Sequence, residues 1–424
     1  MPTFQTVRGM RDLLPEEAET LNFVICKARE TSQLYGYKEV VTPLVEPYEL
    51  LSAKSGEEIR SRMFIFKDLG DRTVALRPEF TASIARLSTT ALKSEPKPLR
   101  VFSVGSVYRY DEPQRGRYRE FWQSNFELMG SNNPEADAEA ILLTNSLLKA
   151  TGLRDYTFKI GHIGVIRGVL SQENVDDKVQ SAILQRMDKK EYDEAFKLIE
   201  QEKCRTALRG LLELKGGTPF ETAEKIKKYV TGYDKAEAAA DNLLEILQLA
   251  TASGCPVKTV EPSFARGLEY YTGMIFEVNV PELDIALGGG GRYDRLIEVF
   301  GGESTPAVGV AHGLDRIALA MQMQKTALPT RREKTAVVIP VKPELKAEAL
   351  KISQMLREAG VSVEFEVMGR KMGKALEDAD KRKVDYAVIV GERELKESSV
   401  VVRDLAKHEQ TTVKIAKLLE KIRV

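Results

Sequence analysis

The spacing of apolar residues predicts a helix near the start of the chain. Leu21, Val24, Ile25 and Ala28 recur at the intervals of one helix face. Glutamates stand between Pro15 and these residues, and acidic side chains in a first turn stabilise the positive end of the helix dipole. We therefore expect a helix that begins close to Pro15.

The segment from Pro98 to Gly130 has the pattern of two β-strands. Residues 99–107 are apolar and β-branched, and residues 120–129 are rich in aromatic side chains. The charged segment 111–117 between them contains proline and glycine. Two such runs predict an antiparallel hairpin, and a long charged loop of this kind is typical of a functional element.

Residues 165–250 are predicted to be helical and polar, with one break at 215–219. Short β-like runs follow this segment and precede a further helix at 313–324. These runs are 274–280 and 284–287, and residues 306–310 lead into the helix.

Strand and helix patterns alternate after a linker at 326–332, which contains proline and arginine. The predicted strands are 336–340, 361–365, 386–390 and 400–403, and the predicted helices are 343–359, 373–383 and 412–422. This alternation indicates a separate α/β domain of about 90 residues. We therefore divide the chain into a first domain, 1–325, and a second domain, 333–424.

The overall charge is balanced, with 63 Lys and Arg residues against 63 Asp and Glu residues. This balance excludes a polybasic protein that coats nucleic acid and a protein with an acidic tail. It does not exclude a local basic surface. No apolar run reaches the roughly 20 residues of a membrane helix, and the N-terminus lacks the features of a signal peptide. We expect a cytoplasmic protein that does not associate with a membrane.

Cysteine and histidine are too few and too scattered to predict a metal site. Cys26, Cys204 and Cys255 form no CxxC pair, and the three histidines show no HExxH spacing. A disulfide framework, a zinc site and a Ser-His-Asp triad are all disfavoured.

Arginine is the residue type that suggests chemistry, because several arginines stand at predicted strand ends or in loops beside glycine or aromatic residues. They are Arg109, Arg115, Arg117, Arg119, Arg266, Arg292 and Arg316. Guanidinium groups bind phosphate oxygens in fixed geometry, so the set suits a nucleotide triphosphate, whereas each one alone could be a solvated surface charge. The glycine run 288–291 matches neither GxGxxG nor a P-loop. A bulged strand end that needs close backbone approach explains it at least as well.

Three segments resemble the motifs of class II aminoacyl-tRNA synthetases. Residues 36–43 are similar to motif 1, the dimerisation element with its proline. Arg109 with its loop and Phe121 resembles motif 2, and residues 309–316 resemble motif 3.

Further strings resemble the histidyl-tRNA synthetases within this class. Segments 266–273 and 290–294 look like the two signatures of that family. Segments 76–82 and 7–10 resemble its LRPEGTA string and its N-terminal loop. The resemblance covers nearly the whole chain and is least specific in 165–250, where the family carries a variable helical insertion.

The resemblance implies an α+β catalytic domain, an antiparallel sheet flanked by helices, in residues 1–325 with the helical insertion inside it. Residues 333–424 would be an anticodon-binding α/β domain. The implied activity is ATP-dependent histidine–tRNA ligation: histidine and ATP form histidyl-adenylate, and histidine is then transferred to the 3′ end of tRNA(His). The implied partners are tRNA(His), L-histidine, ATP with Mg²⁺, and a second copy of the chain in a homodimer. No zinc is implied.

The same resemblance implies a role for each matching residue. Arg109, Arg266 and Arg316 would be catalytic and bind ATP, and Arg117 would also bind ATP. The histidine substrate would be bound by Glu79, Thr81, Gln123, Glu127, Tyr270 and Tyr271. The hairpin-loop residues that would approach the acceptor end of the tRNA are Gln114 and Arg115.

The implied roles agree with elementary chemistry. A carboxylate is already a nucleophile, so adenylate formation needs in-line placement and stabilisation of charge on the α-phosphate rather than a general base. Imidazole needs a hydrogen-bond acceptor, which Glu127 can provide. Gln123 lies four residues before Glu127 on a predicted strand, so both side chains point to one face.

Three residues depart from the family pattern. Phe80 stands where bacterial members usually have glycine, and Trp122 replaces a smaller or imidazole side chain. His312 lies within motif 3, and we interpret it as a packed residue at a helix start and not as a ligand. None of the three removes a reacting group.

The main alternative is a non-catalytic, synthetase-like regulatory subunit of ATP phosphoribosyltransferase in histidine biosynthesis. Such subunits typically lack the C-terminal domain and lose nucleotide-binding arginines, whereas this chain keeps both. A tRNA-sensing module of a larger kinase would need a kinase domain, for which the chain has no room. A class II enzyme for threonine, proline or glycine is disfavoured by the string 266–271.

Overall fold

The computed structural model describes residues 4–53, 56–214, 217–264, 270–281, 283–328 and 334–423. The chain divides into two compact units, 1–328 and 329–424, and each has its own buried apolar core. Of the predicted linker, only residues 326–328 are described. Among the described residues, no helix is both long enough and apolar enough to cross a membrane.

A large sheet lies at the centre of the first unit. Its strands are β1 (Lys38–Glu39), β5 (Leu99–Tyr108), β6 (Glu120–Met129), β7 (Thr157–His162), β8 (Val257–Val260), β9 (Met274–Asn279), β10 (Gly288–Arg292) and β11 (Ala307–Gly313). A small separate sheet contains β2 (Val45–Pro47), β3 (Ile65–Lys67) and β4 (Thr73–Leu76).

In the large sheet the strand order is β1-β5-β6-β11-β10-β9-β7-β8. The strands from β5 to β7 in this order are antiparallel neighbours, whereas the edge strands β1 and β8 pair in parallel with β5 and β7. The expected antiparallel sheet flanked by helices is confirmed, with parallel strands added at its edges.

The helices of this unit surround the sheet. They are α1 (Pro15–Leu34), α2 (Tyr48–Ser52), α3 (Glu57–Arg60), α4 (Thr81–Thr89), α5 (Pro134–Ala150), α6 (Ile163–Gln172), α7 (Asp177–Asp188), α8 (Tyr192–Lys197), α9 (Glu202–Glu213), α10 (Pro219–Tyr229), α11 (Asp234–Ala252), α12 (Leu296–Val299) and α13 (Leu314–Met323). Helix α1 begins where the sequence predicts, and all four residues of its predicted apolar face are buried. Helices α6 to α11 form the predicted helical segment, in which residues 215 and 216 lie outside the described part.

The predicted hairpin is confirmed, because β5 and β6 pair antiparallel over ten residue pairs. Their connection contains a tight turn in which Gln114 and Arg117 form an isolated bridge. Gly116 in this turn has a φ of 74°, a left-handed conformation that glycine adopts without steric cost.

The predicted strand at 284–287 is wrong, since the glycine run itself forms β10. This strand is fully buried between β9 and β11. A side chain at Gly290 would overlap the backbone of Gly309 on β11. The run is therefore a regular strand that needs close backbone approach, and its lack of side chains explains why a hydrophobicity pattern does not detect it.

The second unit is an α/β domain with a five-stranded sheet in the order β13-β12-β14-β15-β16. Its elements are β12 (Thr335–Pro340), a 3₁₀ turn (Pro343–Leu345), α14 (Lys346–Glu358), β13 (Ser362–Phe365), α15 (Met372–Lys381), β14 (Tyr386–Val390), α16 (Glu392–Lys396), β15 (Ser399–Asp404), β16 (Glu409–Lys414), a second 3₁₀ turn (Ile415–Lys417) and α17 (Leu418–Arg423). The predicted helix 412–422 is wrong in its first part, because Thr412 and Val413 pair with β15 as an edge strand. These β-branched residues favour a strand, and the chain becomes α-helical only at Leu418.

A buried ion pair ties α5 to β10. The Arg292 guanidinium donates from Nε to both Asp137 carboxylate oxygens, at 3.1 and 3.0 Å, and also contacts Asp294 at 3.1 Å. The side chains of Arg292 and Asp137 are 7% and 0% exposed. Burial raises the pKa of Asp137 to about 6, and the neighbouring Arg292 opposes this shift. A buried pair of this kind is costly to break from one side.

We predict that Asp137→Ala lowers the free energy of unfolding by about 3–5 kcal/mol, since it leaves the buried Arg292 charge with the more exposed Asp294 as its remaining ion-pair partner. Urea denaturation followed by circular dichroism measures this change. Asp241→Ala, which removes the exposed partner of Lys227 in the same unit, is the matched control and should leave the transition unchanged. Equal transitions for both variants would contradict the structural role of the pair.

Candidate active site

The candidate site is a cavity of about 320 Å³ in the first unit. Residues of β6, β10 and β11 line it, together with residues of the hairpin connection and of helices α4 and α13. Nine of the predicted site residues border this cavity: Glu79, Thr81, Arg109, Arg117, Gln123, Glu127, Tyr270, Tyr271 and Arg316.

Strand β6 supplies three polar side chains to one face of the sheet. Gln123, Asn125 and Glu127 alternate along the strand and all border the cavity, as a period of two requires. On β11, Gly309 lies directly opposite Glu127. A side chain at Gly309 would overlap the Glu127 carboxylate, so the glycine leaves the room that this carboxylate occupies.

Glu127 is a buried carboxylate held by three donors. The Thr81 hydroxyl donates to its Oε1 at 2.8 Å and the Asn125 amide donates to the same oxygen at 2.6 Å. The Tyr293 hydroxyl donates to Oε2. Burial raises the pKa of Glu127 to about 7, and the three hydrogen bonds oppose this rise. Glu127 therefore changes its protonation state near neutral pH.

A second buried carboxylate, Glu79, lies in the same cavity. The Tyr270 hydroxyl donates to it at 3.4 Å. Burial raises the pKa of Glu79, while the positive charge of Arg109 lowers it. Arg109 itself donates from Nε to the Pro78 carbonyl at 2.9 Å, and its guanidinium lies 5.5 Å from the centre of the Phe121 ring. The cavity thus holds two acidic groups with a cation and a flat ring beside them.

Three buried polar atoms of residues at the cavity have no hydrogen-bond partner in the described part of the chain: Oε1 of Gln123, Nε of Arg117 and Oδ1 of Asp111. The last of these forms an ion pair with Arg62 at 3.1 Å. Buried polar atoms are nearly always paired, so the other two atoms indicate a site that a polar ligand completes. Arg316 is held in place by two carbonyl oxygens, that of Gly116 at 3.1 Å and that of Ala286 at 2.9 Å.

The cavity combines two buried carboxylates with several arginines. A comparison with protein families identifies the family of the chain. A sequence model described as histidyl-tRNA synthetase matches residues 9–317. The chain belongs to the histidyl-tRNA synthetase family. A second match, described as an anticodon binding domain, covers residues 335–424.

Individual relatives extend this finding over the full length. The histidine–tRNA ligase of Methanocaldococcus jannaschii is 42% identical, over 98% of this chain and 98% of that protein. A solved structure from Bacillus halodurans, described as an ATP phosphoribosyltransferase regulatory subunit/histidyl-tRNA synthetase, is 28% identical with a TM-score of 0.75, over 89% of this chain and 97% of its own. The apo histidyl-tRNA synthetase of S. aureus is 24% identical with a TM-score of 0.77 over all of both chains, which shows a shared fold.

Two residues predicted for the histidyl-tRNA synthetase site do not border the cavity, and a third lies outside the described residues. Gln114 and Arg115 lie in the hairpin turn and are exposed to solvent. Arg266 lies outside the described residues, together with the rest of 265–269.

Two arginines that the sequence grouped with a phosphate-binding set have structural contacts instead. Arg119 is buried, stacks at 3.6 Å on the Tyr110 ring centre and donates to the Asp111 carbonyl. Arg292 forms the buried pair with Asp137 described above. Both sit beside glycine or aromatic residues, so sequence context alone does not separate them from Arg109.

Sequence reasoning missed two groups that contact Glu127. Tyr293 lies in the string 290–294, which was assigned to the family but given no role. Asn125 lies between Gln123 and Glu127 at the same two-residue period, and this spacing could have identified it.

The departures from the family pattern have packing explanations. Phe80 is buried and lies 4.2 Å below the guanidinium of Arg77. His312 is buried on β11 between the hydroxyls of Ser124, at 3.1 Å, and Thr144, at 3.0 Å. Burial lowers the pKa of His312 to about 3. The expectation of a packed histidine is confirmed, although it lies at a strand end and not at a helix start.

The raised pKa of Glu127 makes stability depend on pH. An exposed glutamate in the unfolded chain titrates near about 4.3, whereas Glu127 titrates at about 7 in the folded chain. Between these values the folded chain binds more protons, so the free energy of unfolding falls as the pH rises. We predict that Glu127→Gln removes this loss and is more stable than wild type at about pH 8 by up to about 3 kcal/mol, but not at about pH 4.

Urea denaturation of both proteins at the two pH values measures this difference. A wild-type protein that gains stability relative to Glu127→Gln as the pH rises would show that the carboxylate is ionised without cost in the folded chain.

Proposed function

We propose that the chain is a histidine–tRNA ligase, which activates L-histidine with ATP and transfers it to tRNA(His). The observation that carries this proposal is the pair of buried carboxylates, Glu79 and Glu127, in a cavity also bordered by Arg109, Arg117 and Arg316. Full-length relatives that are histidine–tRNA ligases support the same activity.

We propose that Glu127 accepts a hydrogen bond from the imidazole of the substrate. Its burial strengthens this interaction, and its three donors fix the position of the carboxylate. Tyr270 and Tyr271 are buried and border the same cavity, and they would shield the imidazole ring from water. An amino acid with an apolar side chain would bury this carboxylate without a hydrogen bond from the substrate, and a lost hydrogen bond of this kind is the usual basis for strong rejection.

The ammonium group of the substrate fits Glu79, Thr81 and Gln123. Glu79 offers a negative charge, and the unpaired Oε1 of Gln123 is an acceptor that an ammonium group can satisfy. Because Thr81 also donates to Glu127, the proposed ammonium and imidazole sites are in direct contact. This contact suits the short distance between the two groups in histidine.

The arginines suit the reaction at the α-phosphate. One oxygen of the histidine carboxylate attacks this phosphorus, the bond to the bridging oxygen breaks, and pyrophosphate leaves. Arg109, next to Glu79, would hold the substrate carboxylate side and the α-phosphate, and Arg266 would stabilise charge on the same phosphate during attack. Arg316 and Arg117 would contact the outer phosphates of ATP and its adenine ring. In the second step a terminal ribose hydroxyl of the tRNA attacks the adenylate carbonyl, and AMP leaves.

We propose that ATP enters with Mg²⁺ bound to its phosphates. In the described residues, no group of three or more His, Cys, Asp or Glu side chains is placed to hold a metal ion. Magnesium normally binds through substrate phosphates and only one or two carboxylates, and Asp188 and Glu277 both border the cavity.

We propose residues 1–325 as the catalytic domain and residues 333–424 as the domain that binds the anticodon. The match of residues 335–424 to an anticodon binding domain supports the second assignment. The exposed positions of Gln114 and Arg115 suit contact with the acceptor end of the tRNA. The substrates belong to cytoplasmic protein synthesis, and we propose that location.

A homodimer is the proposed assembly. Large apolar side chains are exposed near the small sheet of the first unit, among them Val41 at 90%, Val45 at 42%, Ile65 at 47% and Phe66 at 43%. Exposed apolar surface of this kind typically marks an interface. The segment 36–43, which resembles the dimerisation motif of the class, includes Val41.

The proposed activity predicts ATP–pyrophosphate exchange that depends on histidine alone among the twenty amino acids. The measurement is the incorporation of labelled pyrophosphate into ATP with each amino acid in turn. Exchange with another amino acid would overturn the substrate assignment. Absence of exchange with every amino acid, from a folded protein, would favour the regulatory-subunit alternative, which the B. halodurans relative keeps open.

Arg266→Ala should lower the rate of exchange by at least about 10²-fold, the scale for loss of one group that stabilises transition-state charge. Arg295→Ala removes an arginine that is 76% exposed and does not border the cavity, so it should retain wild-type exchange. Similar rates in the two variants would remove Arg266 from the catalytic set.

A further inference from the structure

The N-terminal strap, residues 7–11, lies against the hairpin connection of the active site. The Gly9 carbonyl accepts a hydrogen bond from the Arg119 backbone at 2.8 Å. Gly9 has a φ of 85°, and a side chain there would meet the stem of Arg119 at 2.8 Å. Arg8 forms an ion pair with Glu112 at 2.9 Å. The strap is therefore fitted closely to the loop that carries Gln114 and Arg117.

Arg11 in this strap links two elements of the cavity wall. Its guanidinium forms an ion pair with Asp315, at the start of α13, and lies 3.7 Å from the centre of the Tyr118 ring in the hairpin connection. Arg11 does not border the cavity itself.

Asp315 is a buried carboxylate with two tasks. It is 7% exposed, and its Oδ2 accepts the backbone N–H of Trp122 at 2.5 Å. The other oxygen contacts Arg11. The next residue on α13 is Arg316, whose guanidinium donates to the carbonyls of Gly116 and Ala286. Asp315 thus links β6 to Arg316, which borders the cavity and is the proposed ATP ligand.

A negative charge at Asp315 requires compensation. Without a cation beside it, this buried carboxylate would be an uncompensated negative charge one residue from Arg316 and would oppose the binding of the ATP phosphates. Arg11 supplies the compensating charge, and its stacking on Tyr118 fixes where the charge lies.

We infer that Arg11 is a positioning residue for ATP, which holds Asp315 so that Arg316 and the hairpin turn face the triphosphate. The inference rests on the proposed function. Arg11 acts through Asp315 and has no contact with the carboxylates Glu79 and Glu127, so the affinity for ATP depends on it and the affinity for histidine does not.

The test compares Arg11→Met, Arg11→Lys and Arg8→Met with the wild-type chain. Arg11→Met should raise the KM for ATP in histidine-dependent exchange, and the Kd for ATP in equilibrium dialysis, by about tenfold or more, the scale for loss of a charged hydrogen bond. The KM for histidine should stay unchanged. Arg11→Lys keeps the charge and should restore most of the affinity for ATP.

Arg8→Met is the matched control, because it removes an ion pair of the same strap in which both side chains are exposed, by 74% and 79%. It should bind ATP like wild type. Equal ATP affinities for Arg11→Met and Arg8→Met would overturn the inference. So would a parallel rise in the KM for ATP and for histidine with a lower melting temperature, since that pattern indicates a general structural role.

The two proposals fail in different ways. A wild-type protein without exchange activity would refute the ligase assignment, yet equilibrium dialysis with ATP would still report whether Arg11 affects nucleotide binding. A wild-type protein with normal exchange and an Arg11→Met variant of equal ATP affinity would refute only the role of Arg11.

Discussion

The antiparallel pairing of β6 with β11 determines where the groups of the active site lie. It places Gly309 opposite Glu127 and Gly313 opposite Gln123, so these two polar side chains of β6 each stand beside a position without a side chain, while Asn125 is paired with the small residue Ala311. A slip of one residue would turn the polar side chains to the other face of the sheet, where the chain has a packed core. The glycine strand β10 extends this arrangement by one strand, because backbone can approach backbone only where no side chain intervenes.

Burial of the two acidic side chains at the cavity costs free energy, because a charged carboxylate loses its hydration. Desolvation raises the pKa of both Glu79 and Glu127, and neither carboxylate forms an ion pair within hydrogen-bond distance among the described residues. Hydroxyl and amide donors hold Glu127 instead. Groups held in this way without full compensation are typical of sites that bind a charged ligand. The cation that would normally neutralise them is supplied, in the proposed complex, by the substrate.

The arginines divide into two classes that share a sequence context. Arg119 and Arg292 are buried and bonded to carbonyls, rings or carboxylates, so they stabilise the fold. Arg109, Arg117 and Arg316 border the cavity. The difference arises from residues distant in the chain, since Asp137 lies 155 positions from its partner Arg292. The local sequence pattern therefore identifies arginines that have fixed contacts, but it does not show whether such an arginine stabilises the fold or borders the cavity.

The sequence by itself determined the hairpin, the first helix, the α/β rhythm of the second unit and the spacing that turns Gln123 and Glu127 to one face. These features depend on local periodicity, and a strand or helix repeats its face at a fixed interval. Motif strings also identified the family, which the comparisons confirm. Tertiary structure alone decided that the glycine run is a strand, that residues 412–414 pair as a sheet edge, and that Tyr293 and Asn125 hold Glu127. Those outcomes depend on partners far away in the chain, and no local pattern carries the identity of a distant neighbour.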